Sequence, residues 1–274
     1  MTNDPKVLAA DKFLIDVHGE RGRIGKTLVS NRIRDFLEAR TPPLPVETVR
    51  IESRASRVRA READPRIYIE DLAEARGEIG GSVAALGPVQ RAISRLAVAC
   101  GAVILDWPAG SSTIRPELLL ATQAVARAAA TGIDCVSCTV TTTDPSLLDQ
   151  ALETIAQNTE VAPDARQILV VNEVSGGPVA RIVASSEQGR TWQKVKSASV
   201  DAIVRIPLIK CRAWELFESY NLEMAAAICG STEELAALVG RDELVVAACQ
   251  SHVAAWWEFT DHELARVFSR AANA

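Results

Sequence analysis

Apolar positions along the chain recur with two periods. Short apolar runs at Phe13 to Val17, Val46 to Ile51, Ala102 to Leu105, Cys135 to Val140, Gln167 to Val171 and Ile203 to Pro207 have the length and composition of buried strands. A weaker run at Ile67 to Ile69 predicts one more. Between them the spacing changes to that of helices. Val29, Ile33, Phe36 and Leu37 fall at i, i+4, i+7 and i+8, which predicts a helix from Lys26 to Arg40 with one apolar face; Thr41-Pro42-Pro43-Leu44-Pro45 stops it. Further helices are expected at Val89 to Ala99, at Pro116 to Ala130, and from Asp144-Pro145 onward, with Asp as N-cap and Pro at the first position. Ser111-Ser112-Thr113 would supply the cap before Pro116. From Ala213 on the pattern is helical only.

Strands that alternate with helices predict an α/β fold: a mostly parallel central sheet with helices on both faces and a helical C-terminal region. The expected organisation is a single domain over residues 1–274, with a core at about 12–210 and a helical cap at about 211–274.

Composition narrows this picture. The chain has 274 residues, 48% of them hydrophobic, and a formal net charge of −5, so it is long enough for a real core and has no generally basic coat for nucleic acid. Met1 to Lys6 lacks the charged and apolar regions of a signal peptide, and no apolar run is long enough to span a bilayer. The expected compartment is the cytoplasm. The 6 cysteines are scattered, and Cys135 and Cys138, three apart in a strand, point to opposite faces, so buried thiols are expected rather than a metal site or disulfide.

Candidate chemistry begins between the first strand and the first helix, at His18-Gly-Glu-Arg-Gly-Arg-Ile-Gly-Lys-Thr27. A strand, a glycine-bearing loop and Gly25-Lys26-Thr27 opening a helix are the parts of a phosphate-binding loop. Backbone N–H groups and the positive helix end hold phosphates, the lysine reaches the outer ones, and the threonine hydroxyl ligates Mg²⁺. The common spacing G-x-x-x-x-G-K-[ST] would put glycine at position 20, where this chain has Glu20. A second strand, Val103-Ile104-Leu105, ends in Asp106, as such a site requires for its metal or its water.

These segments carry a family resemblance. Arg21-Gly22-Arg23-Ile24-Gly25-Lys26-Thr27 resembles the deviant Walker A motif, K-G-G-x-G-K-[ST], of the ParA/MinD ATPases. Asp106-Trp107-Pro108-Ala109-Gly110 resembles their D-x-P-A-G segment. Asn172 resembles an asparagine that contacts adenine, and Pro207 falls in a late loop bordering the base. Accessory ATPases of plasmid partition, plasmid stabilisation and conjugal transfer are the most similar branch in size. The resemblance implies a cytoplasmic, ATP-dependent dimerising switch that hydrolyses ATP slowly in DNA partition, conjugation or intracellular positioning. It implies ATP and Mg²⁺ as cofactors, cradled by Gly22, Arg23, Ile24, Gly25, Lys26, Thr27 and Leu28. Lys26 would hold the β- and γ-phosphates, Thr27 would ligate Mg²⁺, and Asp106 would hold the metal through water or polarise the nucleophile. Arg21 stands where a signature lysine crosses to the other subunit's phosphates. The implied partners are a second copy of the chain and a protein that regulates turnover, with DNA as a further candidate.

The chain departs from the family pattern at three places. Arg23 replaces a glycine, and Glu20 brings a carboxylate toward a polyanion unless it turns away or pairs with Arg21 or Arg23. Glu52-Ser53 stands where an aspartate pair is usual. Two rival functions follow: a nucleotide-binding regulatory protein that has lost hydrolysis, and a small-molecule kinase or ligase on the same fold. His18 is expected to be a packed, hydrogen-bonding histidine. The Arg-rich stretch 53–66 is expected to be solvated, with a switch or anion-binding role as the alternative. The last helix, with Trp256, Trp257 and Phe259, carries Glu258, Asp261 and Glu263 where a membrane-binding helix would be basic, so core or dimer packing is favoured over a membrane.

Overall fold

The computed structural model describes residues 12–54, 64–74, 81–174, 179, 188–220 and 222–268. The chain divides into two compact units, Met1–Val204 and Arg205–Ala274. Seven strands form the sheet: β1 (Lys12–His18), β2 (Val46–Glu52), β3 (Arg66–Tyr68), β4 (Gly101–Asp106), β5 (Asp134–Thr142), β6 (Ala165–Asn172) and β7 (Ala202–Ile206), in the order β3-β2-β4-β1-β5-β6-β7. The pairings β1–β4, β1–β5, β2–β3, β2–β4 and β5–β6 are all parallel. β1, in the middle, is buried from Phe13 to His18. All strands expected from the sequence are present, with ends that differ by one or two residues.

Parallel neighbours need crossovers, and right-handed crossovers that run in opposite directions along the sheet lie on opposite faces. The connection from β1 to β2 through α1 (Lys26–Glu38) runs one way. Those through α4 (Gly87–Val98), α5 (Ile114–Thr122) and α6 (Ala124–Ala130), and through α7 (Pro145–Val161) and α8 (Gln188–Ser197), run the other way. Two short helices, α2 (Ile69–Glu74) and α3 (Gly81–Ala85), precede α4. Register confirms the two faces. Leu14 aligns with Val103 and Cys135, and these share a core with Val49 and with Val89, Leu96, Leu118 and Val125 of α4–α6. Leu169 and Val171 pack with Leu148 and Ile155 of α7 and Trp192 and Val195 of α8. Thr48 and Arg50, which alternate with Val49, meet Arg34 and Asn31 of α1 on the opposite side.

Three local expectations need correction. The stretch expected as one helix from Pro116 to Ala130 is two helices, because Gln123 adopts a left-handed conformation (φ 49°) that ends α5 and starts α6. The N-cap position of α5 is Thr113, which makes no side-chain cap bond; Ser111 Oγ instead donates to the Pro108 carbonyl, 2.9 Å away. The Asp144 cap is present, with its carboxylate accepting from the Ser146 and Leu147 amides. Cys135 and Cys138 are buried free thiols, which burial pushes up to about 12, but Cys100 and Cys229 are exposed, against the expectation of burial.

The second unit holds α9 (Ala213–Glu218), α10 (Met224–Cys229), α11 (Thr232–Val239) and α12 (Glu243–Phe268). Its own core joins Ala213, Phe217, Ala227, Leu235, Val246 and Val253. Trp256 is buried and its indole Nε1 donates to the Pro207 carbonyl at 2.6 Å, so this part of the last helix is core, while Phe259 is partly exposed. No helix among the described residues is long and apolar enough to cross a membrane.

Candidate functional site

The loop that follows β1 and the C-terminal ends of β2 and β4 converge on one cleft of ≈ 360 Å³. Gly25 holds the turn from loop to helix at φ +88°, a conformation that costs an L side chain. A Cβ there would also lie 2.2 Å from Asn172 Nδ2, so the position has no room for one. α1 starts at Lys26 with no side-chain cap bond and no acidic residue in its first turn. Its orphan N–H groups and positive dipole end are thereby left to an anion. Gly22, Arg23, Gly25, Lys26, Thr27 and Leu28 line the cleft on one side, and Asp106 to Ala109 on the other.

Of the remaining loop residues, Ile24 is buried and Arg21 is exposed outside the cleft. Arg21 acts through its backbone: its carbonyl accepts from Lys26 Nζ at 2.6 Å. Lys26 is 7% exposed, and burial lowers its pKa against the opposing pull of Asp106 and Glu20. An ammonium in that state gains from any added negative charge, which a phosphate supplies. Arg23 is held at φ 62°, which a non-glycine residue adopts at a cost, and faces the cleft from its exposed rim. Glu20 has turned away: its Oε1 accepts from Thr154 Oγ1 of α7 at 3.1 Å.

Asn172 ends β6 beneath the loop, buried, with Nδ2 donating to the Ile24 carbonyl at 2.9 Å. In this structure its side chain braces the loop. Pro207 lies in the second unit, bonded to Trp256 as above. Glu52 lines the cleft and stands 3.8 Å from Arg66, while Ser53 Oγ donates to Glu70 Oε1 at 2.5 Å. Arg54 pairs with Asp71 at the surface; residues 55–63 of the Arg-rich stretch lie outside the described residues.

Two features of the site escaped the sequence reading. The first is Arg50. Its Nη1 donates to Asp106 Oδ2 at 3.3 Å, its Nε to Asp64 Oδ2 at 3.0 Å and its Nη2 to Asn31 Oδ1 at 3.1 Å. Asp64 also takes Arg34 Nη2 on both oxygens at 3.1 Å. Burial raises the Asp106 pKa, and Arg50, the Ser30 and Thr27 hydroxyls and Lys26 oppose that rise. For phosphates the residues fit: uncapped amides, a buried ammonium and an arginine face one cleft. For a divalent ion the fit is incomplete, because the Asp106 carboxylate is already engaged by a guanidinium. No group of three or more His, Cys, Asp or Glu suited to a metal occurs among the described residues.

The second feature is a buried polar cluster on the opposite face of β1. Asp16 accepts from Trp107 Nε1 at 2.6 Å and from Arg115 Nε at 2.9 Å, and Arg115 Nη1 donates to Asn158 Oδ1 at 2.6 Å. His18 Nε2 lies 3.0 Å from Ser137 Oγ, 3.2 Å from Asn158 Nδ2 and 3.3 Å from Thr139 Oγ1. This satisfies the expected packed histidine, and burial, then Arg115 and Lys26, hold its pKa well below 6.5. The cluster ties the strand that launches the loop, the segment after Asp106, α5 and α7 into one hydrogen-bonded unit. The visible signal was a carboxylate at position 16 inside an apolar run.

No family model matches the chain, and no curated protein matches it. Solved structures are similar to it, two of them as follows. A ParA family ATPase from Chlorobium tepidum TLS is 14% identical, with 91% of this chain and 98% of that one covered and a TM-score of 0.47. A nucleotide-binding protein in complex with ADP from Archaeoglobus fulgidus is 12% identical, with 91% and 92% covered and a TM-score of 0.39.

Proposed function

We propose that the chain binds ATP in this cleft and acts as an ATP-dependent dimerising switch of the ParA/MinD type, with slow turnover, in DNA partition, conjugation or intracellular positioning. The observation that carries the reading is the uncapped start of α1 at Gly25-Lys26-Thr27, set across one cleft from Asp106 at the end of a neighbouring parallel strand. The loop amides and Lys26 hold the phosphates; charge and position, rather than covalent chemistry, are what phosphoryl transfer asks of a protein. Arg21 is exposed on the loop and does not line the cleft, which supports a role for its side chain toward a second copy. A protein partner that accelerates turnover completes the switch.

One observation favours the rival reading, a nucleotide-dependent regulator without hydrolysis. Ser53 spends its hydroxyl on Glu70, and Asp106 is tied to Arg50, so neither position offers a carboxylate free to activate water. Calorimetric titration with ATP tests the shared part of both readings. Lys26→Ala should weaken ATP binding by about tenfold or more, since it removes a charge-assisted contact. An unchanged affinity would sink the site assignment, and phosphate release under single-turnover conditions then separates switch from regulator.

A further inference from the structure

A fixed guanidinium stands beside the carboxylate that a divalent ion would need. Arg50 is buried, lines the cleft with Lys26 and Thr27, and bonds Asp106, Asp64 and Asn31 through its three nitrogens. We propose that the cleft binds the phosphates of its nucleotide without a divalent cation, Arg50 neutralising Asp106 in the place where Mg²⁺ would otherwise do so. This rests on the nucleotide reading of the cleft but requires no hydrolysis.

Charge balance carries the argument. Arg34 and Arg50 face Asp64 and Asp106 in a quartet whose side chains are 4%, 5%, 10% and 6% exposed. Two cations and two anions close it with no net charge, so no carboxylate there is left to attract a metal. A divalent ion at Asp106 would meet the Arg50 guanidinium at close range in a poorly screened setting. The phosphates, in contrast, meet groups outside the quartet: Lys26, the Arg23 guanidinium on the rim and the uncapped amides of α1. Glu52, the other carboxylate of the cleft, already faces Arg66. Arginine is suited to this part because it stays charged at any working pH and its planar fork can serve several acceptors at once.

The test titrates the full chain with adenosine 5′-(β,γ-imido)triphosphate, once in Mg²⁺ and once in excess EDTA. The two dissociation constants should agree within about threefold; a loss of about tenfold or more in EDTA overturns the proposal and leaves nucleotide binding intact. Absence of binding in both arms overturns the nucleotide reading itself. A second readout follows Mn²⁺ by electron paramagnetic resonance. The protein–nucleotide complex should hold Mn²⁺ no more tightly than the nucleotide alone, and retention tightened by about tenfold would overturn the proposal. Arg50→Gln, where circular dichroism shows it folded, frees Asp106 and should make binding metal-dependent; metal-independent binding in that variant would show that Arg50 is not the cause. The wild-type arms decide the matter even if that variant fails to fold.

Discussion

At the scale of single residues, the polar groups inside the sheet decide more than the loop's sequence does. His18 has three polar neighbours and almost no access to water, so it stays neutral where an unfolded histidine would ionise. Its folded pKa is depressed below 6.5, so as pH falls through 6.5 the unfolded chain takes up a proton that the folded chain does not. Stability is thus undiminished above that value and falls below it, by at most about 1.4 kcal/mol per pH unit from this group. Urea unfolding between pH 7 and pH 5 should show that slope, and His18→Gln should flatten it; an unchanged slope would remove His18 as its source. The packed, hydrogen-bonding role of His18 was legible in the sequence, but Asp16 and Arg50 were visible only as polar letters in apolar runs. A strand with one wet face looks the same, and only the burial of β1 and of the middle of β2 on both faces makes each of them a paired, interior charge or hydrogen-bonding group.

At the scale of elements, sequence signals worked where the chemistry is local. Asp144-Pro145 specifies a helix start by itself, since the carboxylate reaches amides two and three residues on. The run of prolines after Thr41 ends α1 by removing donors. The break at Gln123 has no such signature: glutamine is a good helix former, and the packing of α5 and α6, which share the core with Val125 and Leu118, imposes the turn. A left-handed conformation costs an L residue about 1–2 kcal/mol, while glycine adds about 0.5–1 kcal/mol of chain entropy to the cost of folding. Gln123→Gly should therefore stabilise the protein by about 0.5–1 kcal/mol, read as a higher urea midpoint at constant slope. A lower midpoint would mean that the Gln123 side chain makes a contact worth more than the strain. The loop itself was legible as strand, glycine turn and helix. Its electrostatics were not, because Arg50 and Asp64 come from strand and loop positions far from it in sequence.

At the scale of the whole molecule, nucleotide binding and self-association can be separated by position. Lys26 is buried and bonded within the loop, whereas Arg21 contributes only its carbonyl to that bond and leaves its side chain at the surface. Removing the Arg21 side chain therefore leaves the phosphate cradle in place. If two copies meet through their nucleotides, each Arg21 would add its charge to the other copy's phosphates, a contact that exists only in the dimer. Sedimentation velocity should show a monomer without nucleotide and a dimer with the imido analogue of ATP. Arg21→Ala should keep analogue affinity within about threefold at protein concentrations too low for dimers, yet lose the dimer. Arg21→Lys should restore part of it, since lysine keeps the charge but lacks the bidentate fork. The association should also weaken with added salt, because the contact itself is ionic and at the surface, where it outweighs the screened mutual repulsion of two chains of net charge −5. Dimers that form equally well without nucleotide, or that survive Arg21→Ala unchanged, would place the interface elsewhere and leave the cleft as the binding site of a monomeric protein.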